Sequence, residues 1–228
     1  MKRKLKRFLI FILISFGVLY LSKNDILSIK DLLFDGNNIN TNNYANTNDY
    51  LLLVNKNYGL SKNYKPENLT IPNIKFTNLV NNEEKHVSEV IIKPLENLVN
   101  EAKNEGIILL GNSGYRSYNS QKNLFNNRVK SQGLENAESY VAKPGFSEHQ
   151  TGLCIDITNE NEFLIQGTKE GDWLENNCHR FGFIIRYPLG KEDITGIEYE
   201  PWHIRYVGEE AAKYIYENKI TLEEYLEK

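Results

Sequence analysis

Phe146-Ser147-Glu148-His149-Gln150-Thr151-Gly152 runs directly into Leu153-Cys154-Ile155-Asp156-Ile157-Thr158, and the second stretch decides what kind of fold the chain adopts. Leu153, Ile155 and Ile157 alternate with Cys154 and Asp156, the period of a strand with one apolar face. An aspartate set into such a run needs a partner, and a metal ion is a good one.

On either side of this strand the pattern changes period. Apolar residues at Val87, Val90, Ile91, Leu95, Leu98, Val99 and Ala102 form a helical stripe over 84–104, in which Pro94 marks a kink or a helix start and after which Gly106 is a stop. Ile107 to Leu110 reads as a strand running into Gly111-Asn112-Ser113-Gly114. A helix capped by Ser117 or Asn119 then reaches about Lys130, and a short one covers Leu134 to Val141. Beyond the central strand the sequence predicts a helix from Trp173 to Phe181 ended by Gly182, strands at Phe183–Tyr187 and Trp202–Tyr206, and closing helices at Glu209–Asn218 and Thr221–Leu226. Thr221-x-x-Glu224 is a capping box. Helices precede, separate and follow a few short strands with hairpin-like links, which predicts an α+β domain with a small antiparallel or mixed sheet and flanking helices.

The folded domain is expected over residues 50–228. Before it, residues 24–49 are rich in Asn, Thr, Asp and Gly and cannot bury enough apolar surface to fold alone, so they read as a disordered stalk, with a short helix around Ile26 to Phe34. Residues 1–23 hold Lys2, Arg3, Lys4, Lys6 and Arg7 followed by 14 uncharged residues, Phe8 to Leu21, which is an export signal. The apolar core is shorter than the roughly 20 residues of a full span. The exit Tyr20-Leu21-Ser22-Lys23-Asn24 offers no small-x-small cleavage site. The segment is therefore read as an uncleaved anchor in the cytoplasmic membrane with the rest of the chain outside, the alternative being secretion after cleavage.

Residues 1–23 contain six of the 27 basic residues and none of the 30 acids, so the remainder carries 21 basic against 30 acidic groups, a net charge of about −9. That excludes the basic footprint of a nucleic-acid binder. The two cysteines, Cys154 and Cys178, are too few for a disulfide scaffold and lack thiolate-zinc spacing, leaving buried thiols or a single bridge.

A hydrolytic zinc site needs three nitrogen or oxygen ligands, an open position and a nearby carboxylate. Of four histidines, His149 precedes Asp156 by seven residues, and His203 lies in Glu198-Tyr199-Glu200-Pro201-Trp202-His203-Ile204-Arg205-Tyr206. Pro201 stiffens the entry to that strand, with Glu200 and His203 three apart across it. His179 and His86 read as structural and solvated residues. Asp172-Trp173-Leu174 reads as a helix cap with its anchor.

Ser147-x-His149-x-x-Gly152-x-x-x-Asp156 followed by Glu200-Pro201-Trp202-His203 closely resembles the VanY-type D-alanyl-D-alanine carboxypeptidases, zinc peptidases whose fold is shared with hedgehog signalling domains. The likeness extends to Gly114-Tyr115-Arg116-Ser117 with Gln121 and to Gly182-Phe183-Ile184-Ile185-Arg186-Tyr187-Pro188, and covers about residues 50 to 210. It implies a hedgehog/DD-peptidase-like fold in which His149, Asp156 and His203 hold Zn2+ and Glu200 is the catalytic base. It also implies that Arg116 meets the scissile carbonyl or the terminal carboxylate of the substrate. Gln121, Ser147 and Trp202 then line the pocket for the residue removed. The implied activity is removal of the C-terminal D-alanine from peptidoglycan stem peptides. The alternatives are an L,D-carboxypeptidase acting on tetrapeptide stems and a non-catalytic zinc-bearing module, against which Glu200 argues. Cys154 departs from the family pattern, which usually has Ala there; packing is the expected role for the thiol, with approach to the metal or a bridge to Cys178 as the other options.

Overall fold

The structure is a computed structural model that describes residues 49–162 and 165–227. The signal anchor, the stalk and the short helix expected around Ile26 to Phe34 lie outside the described residues. Among the described residues, no helix is long and apolar enough to cross a membrane.

Among the described residues, six strands and seven α-helices follow in the order β1 (Leu69–Thr70), β2 (Val87–Ser88), α1 (Glu89–Asn104), β3 (Leu110–Ser113), α2 (Tyr118–Gln132), α3 (Leu134–Glu138), β4 (Cys154–Thr158), α4 (Lys169–Asn177), β5 (Phe183–Tyr187), α5 (Glu192–Thr195), β6 (Glu200–Tyr206), α6 (Glu209–Asn218) and α7 (Leu222–Tyr225). This is an α+β fold whose four-stranded sheet, order β3-β4-β6-β5, is antiparallel throughout; β1 and β2 form a separate antiparallel pair.

The alternation in β4 sorts the molecule into two sides. Leu153, Ile155 and Ile157 join Ile204, Phe183 and the α1 stripe of Ile91, Leu95, Leu98 and Ala102 in the main apolar core, with Trp173 and Leu174 of α4. On the opposite side Ile184 and Val207 meet Ala211, Ala212 and Ile215 of α6 and Leu222 of α7.

Several boundaries differ from the expectation. Pro94 neither starts nor ends α1 but lies inside it, where it removes the bond its N–H would give to Val90, a residue open to water. The strand expected at Ile107–Leu110 sits three residues later. Leu110 pairs with Thr158 and Ser113 with Asp156, so Gly111-Asn112-Ser113 belongs to the strand, with a register shift between Gly111 and Ser113. The Trp173–Phe181 helix begins earlier, at Lys169, with Thr168 accepting from the Gly171 N–H, and tightens into a 3-10 turn at Cys178–Phe181. Asp172 is therefore in the first turn and not the cap. Ser117 caps α2, and the Thr221–Glu224 capping box is formed. Cys154 and Cys178 are both buried free thiols, so no bridge joins them.

Candidate metal centre

Strand register brings the polar residues together. Asp156 of β4 and His203 of β6 are direct cross-strand partners, as are Cys154 and Arg205. A regular strand would send Glu200 and His203 to opposite faces, being three residues apart. Between the pairs Ile185↔Ile204 and Tyr187↔Glu200, however, β6 spends two more residues than β5. This bulge falls at Pro201-Trp202-His203, beginning at the second residue of the strand, and re-aims the side chains. Glu200 Oε2 thereby stands 4.0 Å from His203 Nδ1.

His149 enters from the 3-10 turn Glu148–Thr151, which ends on Gly152 in the left-handed conformation (φ 67°). Its Nδ1 donates to the Gly114 carbonyl at 2.7 Å, which leaves Nε2 free as a ligand, 3.5 Å from Asp156 Oδ2. Gly114 is required there, because a Cβ would come within 2.4 Å of the His86 carbonyl oxygen. On the other side, His203 Nδ1 lies 3.0 Å from Asp156 Oδ1, yet neither that contact nor any other among the described residues satisfies the buried Oδ1 as a hydrogen bond. A buried carboxylate with one oxygen left without a hydrogen bond, set between imidazole nitrogens at 3.0 and 3.5 Å, fits a divalent ion such as zinc. The ligand atoms of His149, Cys154 and His203 also fall within 4.8 Å of one another.

The centre opens into a cavity of about 250 Å³ lined by Arg116, Gln121, Ser147, Tyr187, Glu200 and Trp202 as well as His149, Asp156 and His203. Each residue expected at the site from the sequence therefore faces one space. Arg116 is held on three sides: Nε donates to Glu84, Nη1 to Gln121 and Nη2 to Ser113. Gln121 has its amide nitrogen on the Ala142 carbonyl, so its side chain orients Arg116 as well as lining the pocket. Glu83 closes the same corner by accepting from the Ser117 N–H and the Ser120 hydroxyl.

Glu148, Arg186 and Glu223 are residues that sequence reasoning missed, and with Arg205, two residues after His203, they form one buried network. Glu148 Oε1 accepts from Arg186 Nε at 2.7 Å and from Arg205 Nη1 at 2.6 Å, with all three side chains fully inaccessible. Arg186 also donates twice to Glu223, which takes a further bond from Asn55, and Arg205 donates to the Tyr50 and Leu52 carbonyls. Glu148 Oε2 stands 3.6 Å from His203 Nε2, so this buried network backs a metal-facing imidazole. The one available signal was that Arg186 and Arg205 alternate with apolar neighbours in their strands, as Asp156 does in β4.

The ionisation tendencies of the side chains follow from these neighbours. Burial pushes Glu200 up to about 8, against the pull of His203. Burial also opposes charge on Glu148, but Arg186 and Arg205 outweigh it and hold the carboxyl well below its usual range. For His203, burial works against the proton, yet Cys154, Asp156 and Glu148 together raise its pKa well above the ordinary value; His149 is raised too. Burial raises the Cys154 thiol, while His149 and His203 bring it down to about 7. Cys178, without such neighbours, is pushed up to about 12.

His86 and His179 are not brought to the centre. His86 Nδ1 meets the Asn82 carbonyl, and His179 stacks on Tyr216 at 3.7 Å between ring centroids.

Two histidines, an aspartate and a glutamate gathered on one face of an antiparallel sheet define a metal-dependent hydrolase of α+β type. Residues 84–209 match the VanY family, described as D-alanyl-D-alanine carboxypeptidase. YodJ of Bacillus subtilis (strain 168) is 46% identical over 188 residues, 80% of this chain and 69% of YodJ. Among solved structures, the LD-carboxypeptidase LdcB is similar with a TM-score of 0.72 at 46% identity, over 77% of this chain and 85% of the other. A mutant of the vancomycin resistance D,D-pentapeptidase VanY, in complex with Zn(II), has a TM-score of 0.66 at 37% identity, over 78% of this chain and 98% of the other. The chain belongs to the VanY family of D-alanyl-D-alanine carboxypeptidases.

Proposed function

We propose that this chain is a zinc D,D-carboxypeptidase that removes the terminal D-alanine from peptidoglycan stem peptides, with His149, Asp156 and His203 holding the metal. The observation that carries the reading is the buried Asp156 carboxylate between two imidazoles, one on each oxygen, with Glu200 beside them and Arg116 in the same cavity. When bound, zinc supplies a Lewis acid that acidifies water and polarises a carbonyl. Glu200 takes the proton of the attacking water and returns it to the departing amine, from a buried position 4.0 Å from His203. Arg116, its fork fixed by Glu84, Gln121 and Ser113, presents fixed positive charge to the scissile carbonyl or the terminal carboxylate. Ser147 adds a hydroxyl and Trp202 a wall to the pocket for the leaving residue.

A second reading, an L,D-carboxypeptidase acting on tetrapeptide stems, is favoured by the likeness to LdcB. Offering the zinc-loaded full-length protein penta- and tetrapeptide stems and identifying the amino acid released separates the two. Release of D-alanine from the pentapeptide alone is the expected result; release from the tetrapeptide alone assigns the second reading.

The basic start, Phe8 to Leu21 and the Asn-rich stalk support a location outside the cytoplasmic membrane, with the N-terminal segment as tether. Protease added to wall-stripped intact cells digests the catalytic domain if this is correct, and leaves it intact if the domain is cytoplasmic.

A further inference from the structure

The hydrolysis leaves one buried nucleophile at the centre without a task. Cys154 stands two residues before Asp156 on β4, on the same face and with no exposed surface. Its placement differs from that of a thiol that only fills space. Cys178 belongs to the main apolar core, with Leu174 and Phe183, whereas Cys154 belongs to neither apolar cluster. Its neighbours are instead the ligand atoms of His149 and His203, all three within 4.8 Å of one another. The cavity is lined by His149, Asp156 and His203 but not by Cys154, so the sulfur approaches these groups from the floor, away from the side where substrate enters.

We propose that Cys154 is a fourth protein donor to the metal, so that two nitrogens, one oxygen and one sulfur hold the ion. The inference rests on the zinc reading above. Zinc bonds of about 2.3 Å to sulfur and about 2.0 Å to nitrogen separate the two donors by about 3.0–3.5 Å at the angles of a five-coordinate ion, within the observed envelope. On coordination the S–H bond breaks, the sulfur keeps the electron pair as thiolate, and the proton passes to solvent. Because the three other donors face the cavity and the sulfur lies beneath them, the entry side stays open to water as a fifth ligand. A thiolate donor makes the site softer and its hold on the metal tighter than nitrogen and oxygen alone.

The test is optical absorption of the full-length protein in detergent, loaded with cobalt(II) in place of zinc. Wild type is expected to show thiolate-to-cobalt charge-transfer absorption in the near ultraviolet in addition to the visible bands of one bound cobalt. Cys154→Ala and the near-isosteric Cys154→Ser are expected to keep the visible bands and lose the charge-transfer absorption. Their zinc affinity is expected to fall by at least the tenfold to hundredfold, roughly, that loss of an outer-shell partner costs. A cobalt-loaded wild type without charge-transfer absorption, with a spectrum that overlays that of Cys154→Ala, overturns the inference and leaves the zinc reading standing. Failure of all three proteins to take up cobalt or zinc overturns both.

Discussion

The two faces of the central sheet are built from alternate residues of the same strands and obey different physics. Leu153, Ile155, Ile157 and Ile204 point into an apolar core against α1, where stabilisation comes from area removed from water and has no preferred direction. Cys154, Asp156, His203, Arg205 and Arg186 point the other way, into a centre where every group depends on a particular partner at a particular distance. The first face tolerates a change of shape at modest cost. The second does not, because removing one member leaves another buried without its counter-charge.

The sharpest way to break this comparison is Glu148→Ala, which strips Arg205 of its carboxylate and Arg186 of one of two. A loss of about 3–5 kcal/mol in denaturant unfolding is expected. Since Glu148 also backs His203, zinc affinity should fall about tenfold to a hundredfold in a competition assay. A loss near that of a surface substitution would mean that the two arginines are satisfied without it.

Acidity probes the same face with a smaller effect. In the metal-free centre the pKa of His203 is raised, so the stability contributed by its proton is full below the ordinary histidine value and is lost as pH rises through the folded value. Zinc requires the neutral ring and gains from that loss. The difference in thermal midpoint between zinc-loaded and metal-free protein should therefore widen from about pH 6 to about pH 8. A constant difference would remove His203 from the ligand set. On the apolar face the smallest effect is expected: Ile155→Val deletes one methylene from a fully buried side chain, should cost about 0.5–1.5 kcal/mol in unfolding, and should leave zinc content unchanged.

What could be read from the sequence divides along the same line. Local periodicity located α1, β4, β5 and α6, because burial on one face writes its period into neighbouring residues. The cluster of His149, Asp156, Glu200 and His203 was visible as residue types in two motifs, whose joining into one site was implied by the resemblance to VanY-type carboxypeptidases; in the structure the pairing of β4 with β6 brings Asp156 and His203 together. The bulge in β6 was not visible, since it exists only relative to the register with β5. The Glu148–Arg186–Arg205–Glu223 network was equally hidden, because its bonded partners are separated by 37 to 57 residues and only the completed fold removes them from water. Cys154, expected to pack as a small hydrophobe, instead faces two imidazoles, a distinction carried by the opposite strand and not by its own neighbours.

The central claim, that the polar face performs zinc-dependent hydrolysis with Glu200 as its base, is tested most directly by Glu200→Gln. Glutamine keeps the size and most of the hydrogen bonding but cannot accept the proton, and general-base catalysis contributes about 10²-fold to 10⁴-fold. Zinc content and release of the terminal amino acid from a pentapeptide stem are measured side by side for wild type and variant. One equivalent of zinc in both, with turnover reduced at least about a hundredfold in the variant, is the predicted result. Turnover near that of wild type, or loss of the metal with the carboxylate, would contradict it.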